Sequence, residues 1–354
     1  MNTGRTLVSL AEEITRQADA KKDYVASTTA LRMVDGNKLA IKGCGEFDIT
    51  EHTHNQIGER LQIPGKYYDR MRTEAPQLLA ENVNTWFQQK PERRMVRTMT
   101  LERPSARAFL SDRYRPLDNF ELAGAVLPEL VNSNQQITII SSEITERKMY
   151  LKWTTPKVIG EVKKGDPVQA GGIITNSEIG MGALSVRPFI TRLICLNGAV
   201  AEDFGQRRYH TGRAANSEEE AYELYSDDTL RKDDTAFWAK VKDTVRAVID
   251  QTRFDKILER MREAAGEKLE GDIPEVVELI GAKFLLNEGE QKSVLRHLIE
   301  DGVGLTRYGM MQAISSAADE VPSYDRNSDL QALAGRVLTL DPKDWKIVGT
   351  TAAA

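Results

Sequence analysis

The chain has 354 residues, with 48 Lys and Arg against 53 Asp and Glu, for a net charge of -5. An apolar content of 40% with 29% charged residues fits a globular chain with a sizeable core and excludes a disordered or histone-like basic protein. No apolar run exceeds four residues, far short of the about 20 that a membrane-spanning helix needs, and the first residues lack the apolar stretch of a secretory signal.

Residues 1–89 read as a mostly helical region. Leu7, Leu10, Ala11, Ile14 and Ala18 recur at helical spacing over residues 5–20. A short strand pair is expected at Ala30–Met33 and Lys38–Ile41, turned by Asp35-Gly36-Asn37. Thr50 is a capped helix start. Residues 57–71 resemble a helix-turn-helix, with Ile57, Leu61, Ile63, Tyr67 and Met71 as the inner face.

Residues 90–213 read as a strand-rich basic core. Strands are expected at Met95–Leu101 and Ala106–Leu110, followed by a helix from Asp118, with Glu121 completing a capping box. A hairpin is expected at Ile137–Ile144 and Lys148–Thr155, then strands at Pro167–Asn176 and Ala183–Leu196. Asn197-Gly198 is a two-residue hairpin signal leading to a strand through Ala199–Phe204. Residues 214–342 read as an acidic helical region, with a helix entry at Ser217, a long pattern over Asp234–Arg262, and later helices over 276–286, 289–300, 304–318 and 327–338. Residues 343–354 read as a tail. The fold expected is α+β: a curved, mainly antiparallel sheet with a crossing helix, flanked by an N-terminal helical segment and a C-terminal helical region.

Recognisable site chemistry is sparse. Cys44 and Cys195 are too few for a disulfide framework and read as small buried hydrophobes in a reducing compartment, so a cytoplasmic location is expected (the host cytoplasm for a phage-encoded chain). The sequence contains no H-E-x-x-H, Walker A, G-x-S-x-G or G-x-G-x-x-G pattern. His52 and His54 share a strand face but not a helix face, so a shared metal is not expected; His210 and His297 read as surface or packing residues. No catalytic residue, cofactor or metal site is expected.

Four segments resemble a known family: residues 109–119 (FLSDRYRPLDN), residues 175–180 (TNSEIG), residues 192–198 (RLICLNG), and residues 305–309 (LTRYG) with Ala313. In order over roughly residues 40–340, they are similar to the phage/plasmid-like proteins of domain-of-unknown-function family 932. The resemblance implies a mobile-element or prophage setting and carries no catalytic residues. Structurally, Arg192 on an alternating strand face reads as an internal ion-pair partner, with Glu178 as a candidate.

Charge segregates along the chain. Residues 1–89 carry -1, residues 90–213 carry +6 and residues 214–354 carry -10. The basic region offers Arg93, Arg94, Arg97, Arg107, Arg113 and Arg115, then Lys148, Tyr150 and Lys152 alternating with Met149, Leu151 and Trp153, then Arg207, Arg208 and Arg213. Period two puts Lys148, Tyr150 and Lys152 on one strand face and sends Trp153 into the core. A cationic face with a Tyr150 stacking platform suits phosphate and bases. The function expected is non-enzymatic single-stranded nucleic-acid binding in phage or plasmid annealing, recombination or replication, by an oligomer of the chain. By analogy, a strand–strand–helix core with a basic sheet looks like the single-strand annealing proteins. Two alternatives stand beside it. One is a self-assembling protein-interaction module, a phage or host-directed factor, in which the acidic helices pair with the basic sheet. The other is an enzyme without a recognisable motif, built from residues such as Asn176, Glu178, Arg192 and His210.

Overall fold

The computed structural model describes residues 3–134, 136–195, 197–201, 206–208, 227–341 and 345. It is a mixed α+β fold with two sheets, one of them curled into a half-barrel, and helical N- and C-terminal parts. The chain opens with α1 (Leu7–Ala20), whose Thr6 hydroxyl accepts from Ser9 N, and runs directly into β1 (Lys21–Ser27). The strands β2 (Leu31–Met33) and β3 (Lys38–Ile41) form the expected hairpin. Asp35 makes its turn by accepting from the backbone N–H groups of Asn37 and Lys38. After β4 (Gly45–Ile49) come α2 (Glu51–Arg60), α3 (Gly65–Glu74) and α4 (Pro76–Gln89). Thr50 caps α2 as expected, accepting from Thr53 N.

The strands β5 (Arg93–Thr100) and β6 (Pro104–Ser111) complete the first sheet, in the order β1-β5-β6-β4-β3-β2. Residues on both sides of position 89 therefore share one sheet. Its only parallel pair among the described residues is β4 with β6. Helices α2–α4 cover one face, around Ile57, Met71, Val83, Phe87, Val96 and Phe109. In the helix pair at residues 51–74, Tyr67 is 48% exposed, and Tyr68, rather than Tyr67, enters the core against Gly58.

Next come α5 (Asn119–Val131), β7 (Thr138–Ile144), β8 (Met149–Glu161), β9 (Pro167–Asn176), β10 (Leu184–Arg192), β11 (Gly198–Val200) and β12 (Gln206–Arg208). The second sheet runs β11-β10-β9-β8-β7, with β12 also on β10, and among the described residues all its pairings are antiparallel. β10 ends at Arg192 rather than at Leu196, which lies outside the described residues.

The last helices are α6 (Asp227–Ala247), α7 (Gln251–Gly266), α8 (Ile273–Phe284), α9 (Glu288–Glu300), α10 (Arg307–Ala318) and α11 (Tyr324–Leu338). The expected helix over 234–262 is two helices, broken where Asp250 caps α7. Ser217 lies outside the described residues. One face of the second sheet, with Met149, Leu151, Trp153 and Ile174, packs on α1, α5 and α6. The α7–α11 bundle forms a further core with the far ends of β8–β10 and with β11. On the opposite sheet face, α11 lies against Tyr150 and Lys152. At Gly335 its backbone comes so close to Val200 O that a Cβ would sit 1.7 Å from it.

Candidate functional site

The twelve sequence-selected residues divide by what the fold does with them. Arg97 is fully buried between the two sheets. Its Nε donates to Asp23 Oδ1 at 2.9 Å, Nη1 to Glu178 O at 2.8 Å and Nη2 to Asp118 Oδ2 at 3.0 Å. Burial works against its charge, but the bonds to Asp118 and Asp23 outweigh that and raise its pKa. Burial would likewise raise the Asp118 carboxyl, yet Arg97 and Lys21 hold it below the usual carboxylate range.

This network explains why Asp118 departs from the expected capping box. It occupies the N-cap of α5 but makes no side-chain cap bond, because its carboxylate is held by Arg97 and Lys21. Glu178 serves the helix instead: its Oε1 accepts from Asn119 N at 2.8 Å, a carboxylate at the positive end of a helix. Its Oε2 accepts from Arg107. Asn176 Nδ2 donates to Leu117 O and Asn119 Oδ1, and Tyr114 OH donates to Ser177 O. The segments at 109–119 and 175–180 thus meet in one ion-paired joint between the sheets.

The other two segments also meet. Arg192 Nε donates to Asp166 Oδ1 at 2.6 Å, so its partner is Asp166 and not Glu178. Tyr308 OH donates to the second Asp166 oxygen, and Gln312 links Tyr308 to Asn197. Asn176, Glu178 and Arg192, weighed from sequence as residues converging on an enzyme site, occupy two separate internal networks, and His210 lies outside the described residues.

Tyr150 and Lys152 are buried, not a solvent-facing platform. The alternation was read correctly, with Trp153 in the core, but α11 rather than water covers the polar face. Tyr150 OH donates to Asp325 Oδ1 at 2.6 Å. Lys152 Nζ donates to Ser328 Oγ at 3.1 Å and Gln331 Oε1 at 2.7 Å. Burial lowers the Lys152 pKa to about 7, with only the Asp319 charge opposing it. Arg94 is also buried, paired with Glu92 and set over the Phe109 ring.

What remains at the surface is a smaller set. Arg93 and Arg113 are exposed and Lys148 is half-buried, and none of the three side chains makes a hydrogen bond or ion pair among the described contacts. Arg115 is half-buried. Arg207 and Arg208 lie on β12, where Arg207 pairs with Ser185 and thence, across Thr175, with Tyr150. Arg213 lies outside the described residues. Arg147, missed in sequence, is exposed beside Lys148 in the β7–β8 turn, its Nε 3.3 Å from Met181 Sδ. Its signal was its place in that turn, whereas the alternation drew attention to the strand beyond.

The loop at 177–182 ties these cations to one rim. Met181 and Tyr114, which follows Arg113, pack against the same small cluster around Ile179, and Lys148 Cε lies 3.2 Å from where a Cβ on Gly182 would be. His52 and Gln56 hold the loop through Ile179 O at 2.7 and 2.9 Å. Burial, with the Arg147 charge beside it, lowers the His52 pKa against the pull of the Ile179 carbonyl. Asp112 and Glu146 are the nearby acids in sequence. Away from the rim, a groove of about 780 Å³ along α6 and α7 interleaves Lys157, Arg246 and Arg253 with Asp243 and Asp250, a lining that selects neither sign of charge.

His54 is buried in α2, bonded to Tyr68 OH, and burial lowers its pKa to about 4. Cys44 and Cys195 are exposed, contrary to expectation, because each falls in a surface turn. Among the described residues, no group of three or more His, Cys, Asp or Glu side chains is placed to hold a metal ion, and no helix is long and apolar enough to cross a membrane. Compared with known proteins, the chain matches no family model, and no curated protein or solved structure is significantly similar to it. The resemblance to the phage/plasmid-like proteins therefore rests on the four segments alone.

Proposed function

We propose that the chain is a non-enzymatic, single-stranded nucleic-acid-binding protein whose phosphate contacts are Arg113, Arg147 and Lys148. One observation carries this reading: among the described residues these three cations form no ion pair and gather around one loop, with Arg147 Nε on Met181 Sδ, while Arg94, Arg97, Arg107 and Arg192 are held in internal ion pairs. An unpaired surface cation keeps its condensing power for phosphate; a buried, paired one does not. With Tyr150 covered, base stacking contributes less than the sequence implied, and the binding is mainly electrostatic and sequence-tolerant. The resemblance supports a mobile-element setting for such an activity, and a role in annealing, recombination or replication follows by analogy with the single-strand annealing proteins. Assembly of several copies along one strand would multiply a weak local contact.

A salt titration on a labelled single strand tests the reading. Three phosphate contacts give a log–log slope near -2, or about a 20-fold loss of affinity between 50 and 200 mM salt for each bound copy. The R113E/R147E/K148E variant should lose binding with its circular dichroism unchanged. Absence of binding at 50 mM salt, or undiminished binding by the triple variant, overturns it.

A further inference from the structure

The Lys152 site belongs to no part of that reading. Its amine is fully buried between β8 and α11, over the Tyr324 ring at 4.9 Å, and forms no ion pair among the described residues. Both of its hydrogen-bond partners are neutral, and both can serve either protonation state. A serine hydroxyl donates or accepts. Gln331 presents Oε1 to the amine while its Nε2 is buried without a partner. A half-turn of that amide brings Nε2 to the lone pair of an uncharged amine with no change in volume, whereas Oε1 suits an ammonium.

The charged groups around the amine are engaged elsewhere or stand off. On α11, Asp325 accepts from Tyr150 and Thr145, Arg326 pairs with Glu290, and Asp329 is exposed. On β7, Glu143 pairs with Arg5. From β10, Arg187 lies on the same sheet face in register through Ile173 and is engaged in interactions of its own. Asp319, in the turn before α11, gives long-range support only. Tyr150 and Tyr324 are both pushed up by burial, Tyr324 to about 12, and stay neutral.

We propose that Lys152, Ser328 and Gln331 form a proton-binding site that couples the docking of α11 on the second sheet to pH. The docked state holds the amine with a pKa of about 7, while an undocked, hydrated lysine keeps an ordinary value near 10. The undocked state therefore binds more protons between those values, and docking strengthens as pH rises through that window. It levels off once the docked amine is itself protonated.

Hydrogen exchange of the full chain reads the effect. After correction for intrinsic rates, the opening equilibrium of amides 324–332 should fall about 60-fold from pH 7.5 to 9.5. In K152M it should not change over that range. Q331E, which keeps the lysine but supplies a counter-charge, should also flatten the dependence. A side-chain NMR titration of lysine-labelled wild-type protein needs no variant: one lysine should titrate well below the others and vanish in K152M. Titration of Lys152 with the exposed lysines, or a wild-type pH dependence surviving in K152M, overturns the proposal.

Discussion

Arg97 and Arg113 are both arginines of the basic region, sixteen positions apart, and the fold gives them opposite roles. Truncating Arg97 to Ala leaves two carboxylates, Asp23 and Asp118, and the Glu178 carbonyl without their shared donor. Lys21 still reaches Asp118, so that acid is not wholly orphaned, but the Asp23 bond and the carbonyl bond are lost outright. Removing one partner from a buried pair costs about 3–5 kcal/mol. The Tyr114 ring, 5.9 Å from the guanidinium carbon, also loses a packing neighbour. R113A removes an exposed side chain that forms no ion pair among the described residues and should shift stability by no more than about 0.5 kcal/mol. Equilibrium denaturation of the two variants with wild type, compared at equal slope, measures the difference. A cycle adding D118N should show coupling of about 1 kcal/mol or more, little changed by salt because the pair is buried. A loss under about 1 kcal/mol for R97A, or equal losses for R97A and R113A, would refute the view that this network holds the two sheets together.

Two further outcomes follow from single residues. His54 is buried neutral, its pKa lowered to about 4, so the unfolded chain binds the extra proton first; stability present above pH 6.5 is lost as pH falls toward 4, by roughly 3 kcal/mol, and H54F should make that acid limb shallower by a similar amount in pH-dependent denaturation. Alanine is the better helix former by about 1 kcal/mol, yet G335A should destabilise by about 2 kcal/mol or more, because its Cβ meets the Val200 backbone oxygen rather than a movable side chain; a stabilised G335A in thermal unfolding would contradict the close approach of α11 to β11.

The sequence was legible where local chemistry decides. The 31–41 hairpin, the Thr50 cap and the strand at Pro167–Asn176 follow from turn residues, a capping hydroxyl and an apolar run. It was less legible where a segment carries no punctuation of its own. β1 follows α1 without a linker, and its sequence KKDYVAS has neither alternation nor a turn signal; it is a strand because β5 pairs along its whole length. The site was misread for a related reason. Alternation along residues 148–153 fixes which side chains share a face, and that much held, but it is silent on whether water or protein lies above the polar face. Likewise Arg192 had to find an acid, and only the return of the chain at Asp166, beside the Tyr308 hydroxyl, decides which.

That distinction also changes what regional charge can be used for. A sum of +6 over residues 90–213 counts Arg97 and Arg113 alike, although one is sealed among carboxylates and the other faces solvent. The acids that neutralise the internal cations of residues 90–213 are Asp23 on β1, Glu92 before β5, Asp118 at the start of α5, Asp166 before β9 and Glu178 in the 177–182 loop, rather than acids of the acidic helices. At its buried lysine α11 offers a hydroxyl and an amide, not a carboxylate. With two acids and two arginines, α11 carries no net charge, and a helix that covers a basic face without neutralising its central lysine leaves that lysine dependent on its proton. The proposed phosphate contacts lie on the rim beside that cover, so two different groups answer to two different variables: pH would act on the seam through Lys152, and salt would act on the rim through Arg113, Arg147 and Lys148.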